Sequence, residues 1–178
     1  MSDTVIGIDP SLSATAICPY TIGVVKQPPI HVLAADPPVK NVSDRICRWN
    51  DLVERIASEM DCHGQIRAIA IEGYSFGSRG GRMADLAEFG GLLRNEILTG
   101  FSVPLFEIPP TSVKKFATGK GNTGKIAVAT ALIKRYDVEY ETDDEYDAYA
   151  IARMCACLVG LEKPQTKFQE EALKGLSC

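Results

Sequence analysis

Four carboxylates occupy positions from which a folded chain could gather them. Asp9 closes the apolar run TVIGID and Glu72 closes RAIAIE. Asp144 and Asp147 lie three residues apart at the start of a helical pattern that continues through Ile151, Met154 and Leu158. If the two runs are parallel neighbours, Asp9 and Glu72 emerge at the same sheet edge, where open α/β sheets bind ligands. Residues three apart on a helix share a face, so Asp144 and Asp147 point the same way. Asp143 and Asp147 share a face as well, and spacing alone leaves that choice open. Gly7, Ala68 and Ala70 are small residues on the carboxylate-bearing faces of the two runs, with room for a helix to pack closely. Four carboxylates so gathered would repel unless cations neutralised them, and an oxygen-only ligand set suits Mg²⁺ or Mn²⁺. Two such ions about 4 Å apart would activate a water and stabilise the leaving oxygen in phosphodiester hydrolysis. Taken singly, a strand-ending Asp is an ordinary turn residue and a helix-start Asp an ordinary cap.

The charge around these acids is sorted along the chain. Net charge is −4, yet Ile108 to Tyr136 holds six basic residues (Lys114, Lys115, Lys120, Lys125, Lys134, Arg135) and no acid. Asp137 to Asp147 then holds seven acids and no base. A basic stretch beside an acidic one suits a site that grips phosphates and also holds a divalent cation. The glycine-punctuated stretch from Lys114 through Lys120 to Lys125 is expected to contact DNA phosphates. Arg79 and Arg82, in the loop GYSFGSRGGR, are expected to add contacts.

The elements that must position these groups follow from the hydrophobic pattern. TVIGID and RAIAIE lack polar alternation, which fits central strands covered on both faces. Ala14–Pro19, Ile30–Ala35 and Val103–Ile108 read as further strands. Apolar residues at three- and four-residue steps predict a helix over about Ser43–Met60, with Ser43 as cap. Met83–Leu98 is helical, with Met83, Leu86, Ala87, Gly90, Leu93 and Ile97 on one face and Phe89 and Leu92 on another. That pattern suits a helix packed on its own sheet and on a second partner. Thr111 caps a short helix SVKKFA, Thr123–Arg135 is another, and Asp144–Leu158 is the last long one. After Gly160 the pattern is polar and loose. The sum is an α/β domain, an early meander followed by a parallel pair, with domain limits 1–160 and a polar tail 161–178.

The 178 residues suit a single domain. Of its residues 46% are apolar and 24% charged, which excludes a disordered or fibrous chain. No apolar run approaches the roughly 18 residues of a membrane helix, so no membrane partner is expected. The N-terminus enters a strand directly, without a secretory pattern, and a cytoplasmic location follows as the expectation. The six cysteines show no zinc or disulfide spacing and read as reduced thiols. Gly119–Lys125 fits the nucleotide-binding pattern G-x-x-x-x-G-K, but Ile126 stands where a Mg²⁺-binding Ser or Thr belongs and no apolar strand leads into it. A P-loop-like nucleotide site is therefore a poor second.

GIDPSLSATA, AIEGYSF, PPTSVKKFATGKGNTGK and DDEYDAYAIA together resemble, in order and spacing, the four motif regions of RuvC-type Holliday junction resolvases. The resemblance spans about residues 4–158. It implies a ribonuclease-H-like fold with a mixed five-stranded sheet flanked by helices. It also implies a homodimer, dependence on Mg²⁺ (two per site, Mn²⁺ able to substitute) and paired nicks across a four-way DNA junction. The family's acidic tetrad falls on Asp9, Glu72, Asp144 and Asp147, the D-x-x-D-A pattern favouring Asp144 over Asp143. Its junction-binding lysines fall on Lys114 and Lys125. Ser11 stands where the family usually has glycine, and the loop after Glu72 is unusual, leaving Tyr74 or Phe76 as the aromatic expected to enter the crossover. The divergence is similar to that of phage-encoded relatives, for which the location would be the host cytoplasm. Flaps, Y-junctions and replication forks are then alternative substrates, and a non-catalytic junction binder on the same fold is a further alternative.

Overall fold

TVIGID and RAIAIE pair as parallel neighbours at the centre of one sheet, where both faces are covered. The computed structural model describes residues 3–24, 28–34, 40–74 and 81–178, with the side chains of Gly81 and Arg82 excepted. Among these residues the strands are β1 (Thr4–Asp9), β2 (Ala14–Thr21), β3 (Ile30–Leu33), β4 (Ile66–Glu72) and β5 (Leu105–Ile108). They lie in the order β3-β2-β1-β4-β5. The first three form an antiparallel meander, and β4 and β5 add in parallel on the other side of β1. Helices α1 (Val42–Asp61) and α2 (Gly81–Gly100) precede β4 and β5 respectively. After the sheet come α3 (Pro110–Thr118), α4 (Lys125–Tyr136), α5 (Asp143–Leu158) and α6 (Lys167–Leu173).

Side-chain alternation splits the core into two layers. Ile6, Ile8, Ile69 and Ile71 pack with Trp49, Leu52, Ile56 and Met60 of α1 and Phe89, Leu93 and Ile97 of α2. Val5, Ala68 and Ala70 face the other way and are covered by α5, with α3 and α4 beyond it. Each fully buried isoleucine or leucine stabilises by about 1.5–3 kcal/mol relative to its exposure. Gly7 belongs to the α5 layer, where an added Cβ would collide with the Ala148 carbonyl oxygen and the Ala152 backbone nitrogen. The missing side chain lets α5 ride directly on β1.

Several boundaries differ from the sequence expectation, each for a local reason. Asn41, not Ser43, caps α1: its side chain accepts from the Asp44 amide at 2.9 Å, while Asp44 accepts from the Lys40 amide at 3.0 Å. Thr111 lies inside α3, which starts at Pro110, a residue whose fixed φ suits a first helical turn. Gly124 is the N-cap of α4, so that helix starts after Thr123. Phe89 joins the fully buried face of α2, and Ala87 lies outward. The loosely patterned end of the chain contains α6, docked on α3. Gln169 is fully buried and donates through Nε2 to the Tyr136 hydroxyl at 2.7 Å. Lys115 pairs with Glu171 at 3.1 Å. Among the described residues no helix is long and apolar enough to cross a membrane. All six cysteines are free.

Candidate metal centre and DNA-facing surface

The register that opposes Gly7 with Ala70 and Ile8 with Ile71 brings Asp9 beside Glu72 at the end of the sheet. Alternation from Val5 and Gly7, and from Ala68 and Ala70, turns both carboxylates toward α5. The head of α5 is fixed by a capping box. Thr142 Oγ1 accepts from the Glu145 amide at 3.3 Å, and Glu145 Oε2 accepts from the Thr142 amide at 2.7 Å. His31, on the edge strand β3, ties this turn to the sheet with Nε2 at 3.1 Å from Thr142 Oγ1 and 3.5 Å from Glu145 Oε1. Asp144 and Asp147 project from the first turns of the helix so held.

The four acids lie within electrostatic reach of one another. Asp9 is held well above the usual carboxylate range, first by burial, then by repulsion from Glu72, Asp147 and Asp144. Burial and the Asp147 charge raise Glu72 to about 7, while a side-chain hydrogen bond with Asp9 and the Lys114 charge pull the other way. Burial raises Asp147 to about 6 against the attraction of Lys125. Lys125 sits over the group with Nζ 3.6 Å from both Asp143 Oδ2 and Asp144 Oδ1. Partial burial opposes its charge, but Asp144, Asp143 and Asp147 raise its pKa overall. Asp9 and Glu72 feel Asp144 directly, whereas Asp143 lies farther out and is exposed.

Among the described residues, no three acidic, histidine or cysteine side chains are closed to the spacing of a metal cage as they stand. Asp9 and Glu72 touch through a hydrogen bond, while Asp144 and Asp147 act on them through charge, offset among the described residues by Lys125 and Lys114. Their donor chemistry still fits a hard divalent cation, with oxygen atoms only and buried acids whose ionisation is costly without a counter-charge.

Of the other expected contacts, only Lys114 among the described residues acts on these acids. Lys114 acts on Glu72 and Asp147 from α3, and Lys120 is exposed in the α3–α4 loop. Tyr74 lies against α2, donating to the Ala87 carbonyl at 3.2 Å, with the Arg94 guanidinium 4.5 Å above its ring. Phe76, Arg79 and the Arg82 side chain lie outside the described residues. The Gly119–Lys125 segment links two helices: Gly119, at φ 84°, terminates α3 and Gly124 opens α4. A P-loop leaves a strand, so the nucleotide-binding alternative loses its structural context. Arg94 and His31 carry no signal in the sequence, since their partners lie on other elements.

No protein-family model matches the chain. One curated relative, crossover junction endodeoxyribonuclease RuvC of Prochlorococcus marinus (strain MIT 9211), is 40% identical over 57 residues. That stretch is 31% of this chain and 36% of the relative's own length. Thermus thermophilus RuvC superposes with a TM-score of 0.61 at 18% identity, over 84% of this chain and 90% of that one. The same protein in complex with a Holliday junction substrate gives 0.62 at 22% identity over the same shares. The chain folds like RuvC. The ribonuclease-H-like class expected from the four motif regions is therefore the observed one. The yeast mitochondrial Holliday junction resolvase Ydc2 is a more distant match, with a TM-score of 0.51 at 15% identity over 83% of this chain and 75% of that one.

Proposed function

We propose that this protein is a divalent-cation-dependent endonuclease that resolves four-way DNA junctions by paired nicks. The observation that carries the reading is the meeting of Asp9, Glu72, Asp144 and Asp147 from β1, β4 and α5 at one sheet end, on a RuvC-like fold. Asp144 is preferred to Asp143 because Asp9 and Glu72 both feel its charge. Two Mg²⁺ ions, or Mn²⁺ in their place, would supply activation of the attacking water and stabilisation of the leaving oxygen. The chain's own part is to hold the four carboxylates on rigid elements and to present cations beside them. Lys114, Lys120 and Lys125 grip phosphates flanking the cut, and Lys125 is near enough to exchange an acid partner for a phosphate. Arg79, Arg82 and the aromatics Tyr74 and Phe76 belong to the segment that meets the crossover.

Symmetric cleavage needs two sites, so a homodimer is part of the proposal. A reducing cytoplasm, the host's if the protein is phage-encoded, suits six unpaired thiols. The test is a synthetic four-way junction labelled on each strand in turn, incubated with the protein and Mg²⁺. Paired, symmetry-related nicks bearing 5′-phosphates are expected, with none in EDTA. Equal cutting of flaps and forks would instead assign the broader branched-DNA substrate, and binding without any cut would assign a non-catalytic junction binder.

A further inference from the structure

Arg94 of α2 reaches across to the end of β4. Its Nη2 donates to the Glu72 carbonyl oxygen at 3.1 Å. Nη1 donates to the Tyr74 hydroxyl at 3.1 Å and to the Gly90 carbonyl at 3.0 Å, and Nε donates to Glu107 Oε2 at 2.8 Å. One guanidinium therefore joins α2, the last residue of β4, the residue two beyond it, and β5. Its side chain is only 16% exposed. Gly90 is shaped to this arrangement, since a Cβ there would stand 2.5 Å from the Tyr74 hydroxyl oxygen and 2.9 Å from Arg94 Nη1. A cavity of about 60 Å³ bounded by Pro10, Glu72, Tyr74, Leu86 and Arg94 lies beside the joint.

The placement has a mechanical consequence. Glu72 is the last residue of its strand, paired with Ile108 of β5, and the register with β1 ends one residue earlier, at Ile8 and Ile71. The next amide, Gly73, donates to the Ile108 carbonyl at 2.8 Å. The Glu72 carboxylate is within reach of the Asp147 and Asp144 charges, which repel it, and of Asp9, with which it hydrogen-bonds. We infer that Arg94 is a positioning residue for the metal centre, fixing the main chain at Glu72 so that its carboxylate stays turned toward Asp9 and α5. The inference rests on the tetrad reading of Glu72 and adds a residue to it. Lysine cannot replace Arg94, because a single ammonium has no planar fork to reach four acceptors at once.

The experiment compares wild type, Arg94→Ala, Arg94→Lys and Glu107→Gln. Mn²⁺ binding is read by electron paramagnetic resonance without DNA, junction affinity in EDTA, and single-turnover cleavage with Mg²⁺. Both Arg94 variants should bind Mn²⁺ about tenfold more weakly, the scale of losing an outer partner of a metal ligand. They should cleave at least about tenfold more slowly, with junction affinity within about twofold of wild type. Guanidinium ion at millimolar concentration should restore part of the Mn²⁺ affinity to Arg94→Ala, and Glu107→Gln, which leaves the Glu72 contact in place, should bind Mn²⁺ like wild type. Arg94 variants that melt earlier yet bind Mn²⁺ normally in the folded fraction would overturn the inference. So would a Glu107→Gln loss equal to that of Arg94→Ala. A wild type that binds Mn²⁺ but cuts no branched DNA would refute the proposed nuclease and leave the Mn²⁺ comparison to decide the role of Arg94.

Discussion

At the residue scale the acids carry a cost that a cation would relieve. Asp9, Glu72 and Asp147 hold protons more tightly folded than unfolded, chiefly through burial and mutual repulsion. Between their ordinary values and the raised ones, about 7 for Glu72 and about 6 for Asp147, the folded state binds more protons than the unfolded state. Stability of the metal-free protein must then fall as pH rises through that window. Thermal melts in EDTA from pH 4 to pH 8 should show the fall, and Glu72→Gln should flatten it, adding roughly 1–3 kcal/mol at pH 8. Melts that rise with pH, or a Glu72→Gln protein no more stable than wild type, would contradict this. Lys125→Ala removes the cation 3.6 Å from Asp143 and Asp144. It should weaken binding to every branched DNA and reduce the log–log salt slope by about 0.9. An unchanged slope would mean that Lys125 neutralises only acids. Asp9 and Glu72 were legible in the sequence because each carboxylate breaks an apolar run at the point where its strand leaves the core. Arg94 was not, because its partners are two carbonyls, a hydroxyl and a carboxylate that no periodicity marks.

At the scale of elements, the approach of α5 to β1 decides where Asp144 and Asp147 stand. Gly7→Ala should force α5 outward from Ala148 and Ala152, destabilising by about 3 kcal/mol in urea titrations. It should also weaken Mn²⁺ binding, since two acids leave with the helix. A variant as stable as wild type would show that α5 has slack against the sheet. The central strands and the helices α1, α2, α4 and α5 were readable from apolar spacing, because apolar burial is what shaped them. Helix α6 was not, because its buried or half-buried apolar residues Phe168, Ala172 and Leu173 are few and much of its docking runs through polar groups that look solvent-facing in a sequence. Gln169 reaches Tyr136, Glu171 reaches Lys115, and Phe168 lies under the Arg135 guanidinium at 5.0 Å. Ending the chain at Gly160 should therefore speed amide exchange in α3, from which Lys114 reaches toward the acids. Unchanged α3 protection would show that α6 is only appended.

For the whole molecule, the proposed function requires two sites to face one junction. On α2, Gly90 is filled from within the chain by Tyr74 and Arg94, while Gly91 has open space and Leu98 is 64% exposed. Ala87, Gly91 and Leu98 fall on one outward face, the surface on which the proposed dimer would close. Sedimentation at micromolar concentration should give a dimer, and Leu98→Glu should shift it toward monomer. A monomer with and without junction DNA would remove the dimer. The central claim of the proposed function is that the four carboxylates act as one hydrolytic centre on junctions. The most direct test is single-turnover cleavage of a labelled four-way junction by wild type and Asp9→Asn in Mg²⁺, with binding measured in parallel. Wild type should cut rapidly, and Asp9→Asn should bind the junction without detectable cutting. Cutting by Asp9→Asn at near wild-type rate would contradict a single carboxylate centre.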